Sequence, residues 1–167
     1  MLNRRGQIFS TDMMMAAVVF LFIITLSIVY SSEVASRVYF MEENNAMDQA
    51  VLQAADALVL SAGSPANWET LSDLNTAFSL GIVKTRNVLD AGKLQAVLDL
   101  NAGNYGRIKE LLGASRYDLG VSVLRLQNKQ SLAEFGKQPS SENKVSAVSR
   151  IAWYNGEEVI VRVKVFE

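Results

Sequence analysis

From Met13 to Tyr30 the chain reads MMMAAVVFLFIITLSIVY, a run with no charge, no Gly and no Pro. At about 1.5 Å per residue it reaches ~27 Å, close to the ~30 Å of a bilayer hydrocarbon core. Only Thr25 and Ser27 interrupt it, so it lacks the polar face that a core helix of a small domain shows. The pattern predicts a transmembrane helix.

The helical period continues past this run. Val34, Val38 and Met41 follow one face, and Met47, Val51, Ala54 and Leu58 continue it, with Glu33, Arg37, Glu43, Asp48 and Gln53 off the stripe. Ala62-Gly63-Ser64-Pro65 is the first stop signal, because Gly caps and Pro cannot continue. One helix from about Thr11 to Ala62 is therefore expected. Glu42-Glu43-Asn44-Asn45 is the polar point at which a break or kink is expected.

Between Ser64 and Gly113 the spacing predicts short helices packed on that stripe. Trp68, Leu71, Leu74 and Phe78 mark one from Trp68 to about Phe78. Asp90 caps another carrying Leu94, Val97 and Leu98, and Tyr105, Ile108, Leu111 and Leu112 mark a third that ends at Gly113.

From Tyr117 the period changes to two. Tyr117, Leu119, Val121 and Val123 alternate with polar or small residues, as do Val145, Ala147, Ile151 and Trp153, and Val159, Val161, Val163 and Val165 give the clearest strand. The polar segment Asn128 to Asn143 contains Pro139 and reads as a long connection with a short strand near Leu132 to Phe135. The expected fold class is α+β: a long N-terminal helix, transmembrane then amphipathic, and a small head of short helices with an antiparallel β-sheet.

Asn155-Gly156 signals a hairpin. A two-residue loop would set Ile151 opposite Ile160 and split the apolar set between both faces. A three-residue loop, Tyr154-Asn155-Gly156, pairs Ile151 with Val159, Ser149 with Val161, Ala147 with Val163 and Val145 with Val165. It gathers the apolar residues on one face and Arg150, Arg162 and Lys164 on the other, so it is the expected register. The valine face is expected to cover the helix stripe from Met47 to Leu58.

Composition narrows the chemistry. The 167 residues carry a net charge of −1, with 50% hydrophobic residues, no Cys and no His. That excludes the usual structural zinc site, an imidazole-activated nucleophile and disulfide stapling, and the near-neutral balance leaves no footprint for nucleic acid. No GxGxxG, Walker loop or GxSxG occurs, and the acids at Glu42, Glu43, Asp48, Asp56, Asp90 and Asp99 lie on polar helix faces. Met13 to Met15 point in different directions on a helix and read as apolar filler. No catalytic residue, metal site or cofactor is expected, and the chain is not expected to be an enzyme.

Arg4 and Arg5 stand directly before the apolar run, and the nearest charge after it is Glu33. The positive-inside rule then places the N-terminus in the cytoplasm and the head outside. A site for ordinary signal peptidase is poor, since cleavage after Ala35 would leave Glu33 at the −3 position.

The residues ahead of the run are the most specific local signal. Met1-Leu2-Asn3-Arg4-Arg5-Gly6-Gln7, followed by Ile8-Phe9-Ser10-Thr11-Asp12, resembles the class III (prepilin-type) signal peptide of archaeal type IV pilin-like proteins. The order Pro65-x-Asn67-Trp68, Leu80-Gly81, Lys93-Leu94, Tyr105, Leu111-Leu112-Gly113 and Tyr117-Asp118 resembles a head arrangement among pilin-like proteins of euryarchaea. The resemblance implies cleavage between Gly6 and Gln7 by a membrane-embedded prepilin peptidase, which leaves the hydrophobic helix on the mature protein. The family often has an acid five residues into the mature chain; here that position is Thr11, and the acid is Asp12, one place later. Asp12 is the implied assembly residue.

These readings divide the chain into a leader (1–6), a transmembrane and assembly helix (7–30) and an extracytoplasmic head (31–167) that includes the C-terminal half of the long helix. The implied function is a structural subunit, pilin-like or minor pilin-like. It would polymerise with itself or with other pilin-like subunits into a cell-surface filament. The alternative is an uncleaved, signal-anchored extracytoplasmic binding module.

Overall fold

The computed structural model describes residues 4–71 and 73–167; the side chains of residues 4–10, 40, 42 and 43 lie outside the description. The fold is α+β. Helix α1 (Arg4–Leu60) is followed by strand β1 (Gly63–Ser64), two single-turn 3-10 segments (Trp68–Thr70 and Leu74–Thr76), and strands β2 (Ser79–Leu80), β3 (Val83–Thr85) and β4 (Val88–Leu89). Helix α2 (Ala91–Leu111) leads into strands β5 (Asp118–Arg125), β6 (Ser131–Gly136), β7 (Val145–Tyr154) and β8 (Glu157–Phe166). The chain forms two compact units, Met1–Asn44 and Asn45–Glu167.

In the second unit a six-stranded sheet has the order β3-β4-β7-β8-β5-β6, antiparallel except where β4 meets β7 at Val88 and Trp153. Val159, Val161, Val163 and Val165 are all fully buried, and they share one core with Met47, Val51, Ala54, Ala55 and Leu58 of α1. The three alanines at 50, 54 and 55 let the helix backbone sit close to what it covers.

The end of α1 is fixed by backbone partners. A helix leaves its last four carbonyls without intrahelical donors. Here Ile82 N–H donates to Leu58 O at 3.0 Å and Asn87 N–H to Val59 O at 2.9 Å. Gly81 is required beside them, because a Cβ there would lie 1.8 Å from Ser61 O.

The structure corrects several expectations. No break occurs at Glu42-Glu43-Asn44-Asn45: the helical assignment runs through it. The expected helix from Trp68 to Phe78 is instead two 3-10 turns, because Asp73 accepts from Asn75 N–H and the guanidinium of Arg107 donates to Ala77 O at 3.0 Å, holding that backbone as turns. The two helices expected at Leu94–Leu98 and Tyr105–Leu112 are one, kinked at Asn104, whose φ of −128° and ψ of 31° are not helical. Asp90 caps it as expected, accepting from Lys93 N–H at 3.0 Å.

The hairpin register is also corrected. Tyr154 pairs with Glu157 across a two-residue Asn155-Gly156 loop, with φ of 51° and 84°, the pair of left-handed residues a type I′ turn needs. Ile151 therefore faces Ile160, and Ala152, Arg150 and Val148 face Val159, Val161 and Val163. Arg150 does not lie on the outer face with Arg162 and Lys164. It shares the valine face and donates to Asp56 Oδ1 of α1 at 2.9 and 3.0 Å. The charge pair makes an arginine tolerable where an apolar residue was expected, and Ile151 and Trp153 are left on the outer face, 61% and 48% exposed.

Candidate functional site

The first unit consists of α1 alone, and its large side chains have no internal partner. Met13, Phe20, Phe22, Ile28 and Tyr30 are 62–70% exposed, and the other large side chains between Met13 and Tyr30 are exposed as well, down to 38% at Ile24. An apolar surface of this extent is not tolerated in water by a monomer. Helix α1 is long and apolar enough near its N-terminus to cross a membrane, and none of its most apolar window is buried within the chain.

The few polar groups of this segment are dealt with locally. Thr25 Oγ1 donates to Leu21 O at 2.8 Å, and Ser32 and Ser36 hydroxyls donate to Val29 O and Ser32 O. A hydroxyl bonded back to its own helix leaves no orphan donor in hydrocarbon. The first charges after the run, Glu33 and Arg37, form an exposed i,i+4 pair at 2.7 Å. That pairing costs little in water and marks where the apolar surface gives way to a solvated one.

Gly6 and Gln7 lie in the first turns of α1, and their side chains are outside the described residues. Asp12 is exposed at the start of the apolar surface, bordering a shallow groove formed with Met13, Met15, Ala16, Val19 and Phe20. Gly6, Gln7 and Asp12 share one helix.

Two polar clusters in the second unit were not read as clusters from the sequence, although Lys93, Tyr105 and Asp118 all stand in the order quoted for the head. Lys93 is 4% exposed and donates to Ala62 O and Ala66 O, with Glu69 at 3.8 Å. It ties α2 to the loop that ends α1. In the other cluster, Tyr105 Oη accepts from Leu119 N–H at 2.8 Å and lies 3.1 Å from Asp118 Oδ1. Lys109 and Lys137 reach the same carboxylate at 3.2 and 3.0 Å.

Burial pushes the Tyr105 phenol up to about 12, assisted by the charge of Asp118. Burial works to raise Asp118 as well, but hydrogen bonds from Lys137, Lys109 and Tyr105 outweigh it and hold the carboxyl below its ordinary value. The residues converge from α2, β5 and the segment after β6, so no spacing along the chain reveals them. Their chemistry is that of a strap holding α2 on the sheet.

A cleft of about 470 Å³ lies between α2 and the 3-10 turns, lined by Trp68, Leu71, Leu74, Asp73, Asp99 and Arg107 among others. Its one guanidinium is occupied: Arg107 Nη1 meets Glu110 at 2.8 Å while Nη2 serves Ala77 O. Among the described residues no group of three or more acids is placed to hold a metal ion. Comparison with family models, with curated proteins and with solved structures finds no match to this chain.

Proposed function

We propose that this chain is a pilin-like or minor pilin-like structural subunit. A prepilin peptidase removes residues 1–6, and the chain assembles through its N-terminal hydrophobic helix into a cell-surface filament. The observation that carries the reading is the bare apolar circumference of α1 between Met13 and Tyr30, joined in one helix to a stripe that forms the core of the head. A surface of that kind needs lipid before assembly and neighbouring helices after it. The N-terminus is cytoplasmic and the head extracytoplasmic, on the strength of Arg4 and Arg5 before the run.

Removal of the leader would create an α-amino group at Gln7. In an assembled filament that group pairs with Asp12 of a neighbouring subunit and sets the axial register. An acid near the end of a membrane helix reaches polar groups far more cheaply than the about 2.5–3.5 kcal/mol charged at its centre. Two substitutions test the reading in cells that express the peptidase. Gly6→Val is expected to block cutting and leave full-length chain in the membrane, and Asp12→Ala to abolish filaments while cleavage proceeds. Normal maturation of Gly6→Val, or filaments at normal yield from Asp12→Ala, would contradict the respective step.

A further inference from the structure

The six-stranded sheet leaves one long strand half paired. Strand β7 bonds to β8 along all ten residues, but on its other side it meets β4 only at Trp153, whose N–H donates to Asn87 O at 2.7 Å. In an antiparallel ladder, alternate residues turn both backbone groups to the same neighbour. Because Trp153 turns away from β8, Ile151, Ser149, Ala147 and Val145 do so too. None of their N–H and C=O groups has a backbone partner among the described residues. The row carries none of the usual guards of an edge: no Pro, no Lys and no bulge lies between Val145 and Ile151.

The side chains around this row define what fits it. On the outer face of the sheet, Ala147 and Ser149 pair with Lys164 and Arg162, one strand further in. Neither cation has a carboxylate partner among the described residues, and Arg162 leans toward the edge, its Nε 3.5 Å from Ser149 Oγ. A strand laid along β7 would stand two strand spacings, about 10 Å, from these cations, which a long acid and a long base together span over the small side chains between. Opposite charges placed across strands stabilise the pairing and like charges oppose it. Acids at two outward positions, two residues apart, answer both cations.

The inner face asks for the opposite. Ser146 Oγ donates to Asp48 Oδ1 and Arg150 to Asp56 Oδ1, which lays this part of α1 alongside β7. Leu52 is one helical turn from each of those acids on the same helix face, so it stands level with Val148, midway between Ser146 and Arg150. Leu52 is 42% exposed and Val148 half-buried. An apolar residue between the two acids of an added strand points to this face and covers both.

We propose that the free β7 edge binds an extended segment of a partner protein by strand addition. The segment carries acid, apolar and acid at three successive positions, the acids toward Arg162 and Lys164 and the apolar residue toward Val148 and Leu52. Backbone hydrogen bonds supply the pairing, and the side chains on the two faces supply the choice of segment. The added strand stops before Trp153, where β4 already holds the edge. A second copy offers no such segment, because no two acids of this chain stand two positions apart. Every residue involved lies in the unit Asn45–Glu167, so the inference rests on the head by itself and on neither leader cleavage nor filament assembly.

The test uses the full-length chain in detergent micelles and a labelled peptide, Thr-Ile-Glu-Val-Glu-Ile-Thr, followed by fluorescence anisotropy. Saturable binding is expected, several-fold tighter than that of Thr-Ile-Lys-Val-Lys-Ile-Thr. Arg162→Glu together with Lys164→Glu should reverse the preference. No binding of the glutamate peptide, or a preference that survives the double substitution, would overturn the proposal.

Backbone pairing is read without altering the protein. Two versions of the glutamate peptide are N-methylated on alternate amides, one set on the glutamates and the other on the residues between them. Only the set that turns its N–H groups to β7 needs them, so one version is expected to bind and the other to lose binding. Equal binding of both would mean that charge alone holds the peptide and would overturn strand addition. The chain has no cysteine, so Ser149→Cys carries the only thiol. Disulfide dimers of that variant in peptide-free micelles would give the edge to a second copy and overturn the assignment to a partner protein.

Discussion

Between Thr11 and Tyr39 helix α1 leaves its large apolar side chains open on every side, whereas between Met47 and Val59 the same helix hides a single stripe and exposes the rest. Both stretches are helical and both are rich in Val, Leu and Ala. The difference is the arrangement of apolar residues around the axis. A continuous apolar circumference has no solution inside a small domain and must find its surroundings elsewhere, while a stripe flanked by Asp48, Gln53 and Asp56 needs only one sheet to cover it. Polar groups follow suit. In the first stretch Thr25, Ser32 and Ser36 turn back on their own helix, and in the second Asp48 and Asp56 reach out to Ser146 and Arg150 of β7.

The contrast is broken most forcefully by equal truncations in the two stretches. Leu58→Ala removes a fully buried side chain and is expected to cost about 2–5 kcal/mol of head stability, seen as a lower unfolding midpoint of the full chain in detergent. Leu21→Ala, at a position 61% exposed, should leave that midpoint where it was. A comparable loss from Leu21→Ala would mean that the apolar stretch is part of the head's core after all.

Next in size is Lys93→Met. It preserves the packed stem but leaves two buried carbonyls, Ala62 O and Ala66 O, without their donor, at about 1–3 kcal/mol each at most. The same denaturation measurement checks it. No change in the midpoint would show that the loop following α1 contributes nothing to holding the helix end.

The smallest effect is a pH dependence confined to the head. Tyr105 is raised to about 12, so the stability it contributes is fully present below its ordinary value of 10.0 and is lost as pH climbs from there through 12. Asp118 is lowered, so its contribution is present above 3.8 and is lost as pH falls below that through the folded value. Tyr105→Phe should flatten the alkaline limb and Asp118→Asn the acid limb of the unfolding midpoint against pH. An alkaline limb that survives Tyr105→Phe would assign it to another group.

What the sequence made legible was whatever rested on period. The long helix, its stop near Gly63, the Asp90 cap and strands β5 to β8 all follow from spacing and cap chemistry. The departures arise where a distant partner overrides the local pattern. Arg150 reads as a solvent-face residue until Asp56, ninety-four positions earlier, is brought beside it, and that pair accommodates the arginine on the face where the two-residue loop puts it. Trp68, Leu71, Leu74 and Phe78 have helical spacing, yet carbonyls claimed by Arg107 keep the segment in turns, and Phe78 stands 82% exposed. Of the candidate site, Asp12 and the apolar run were readable along the chain. The cluster of Tyr105, Lys109, Asp118 and Lys137 was not, because its members converge from α2, β5 and the segment after β6 only once the chain is folded.

The account's central claim is that the first stretch of α1 is the assembly helix of a processed subunit. The most direct test is the intact mass, with N-terminal sequencing, of the protein extracted from the membranes of cells that express it naturally. The account predicts a chain that begins at Gln7, with Arg4 and Arg5 gone. A chain that still begins at Met1 and remains in the membrane would contradict it and would identify an uncleaved, signal-anchored module instead.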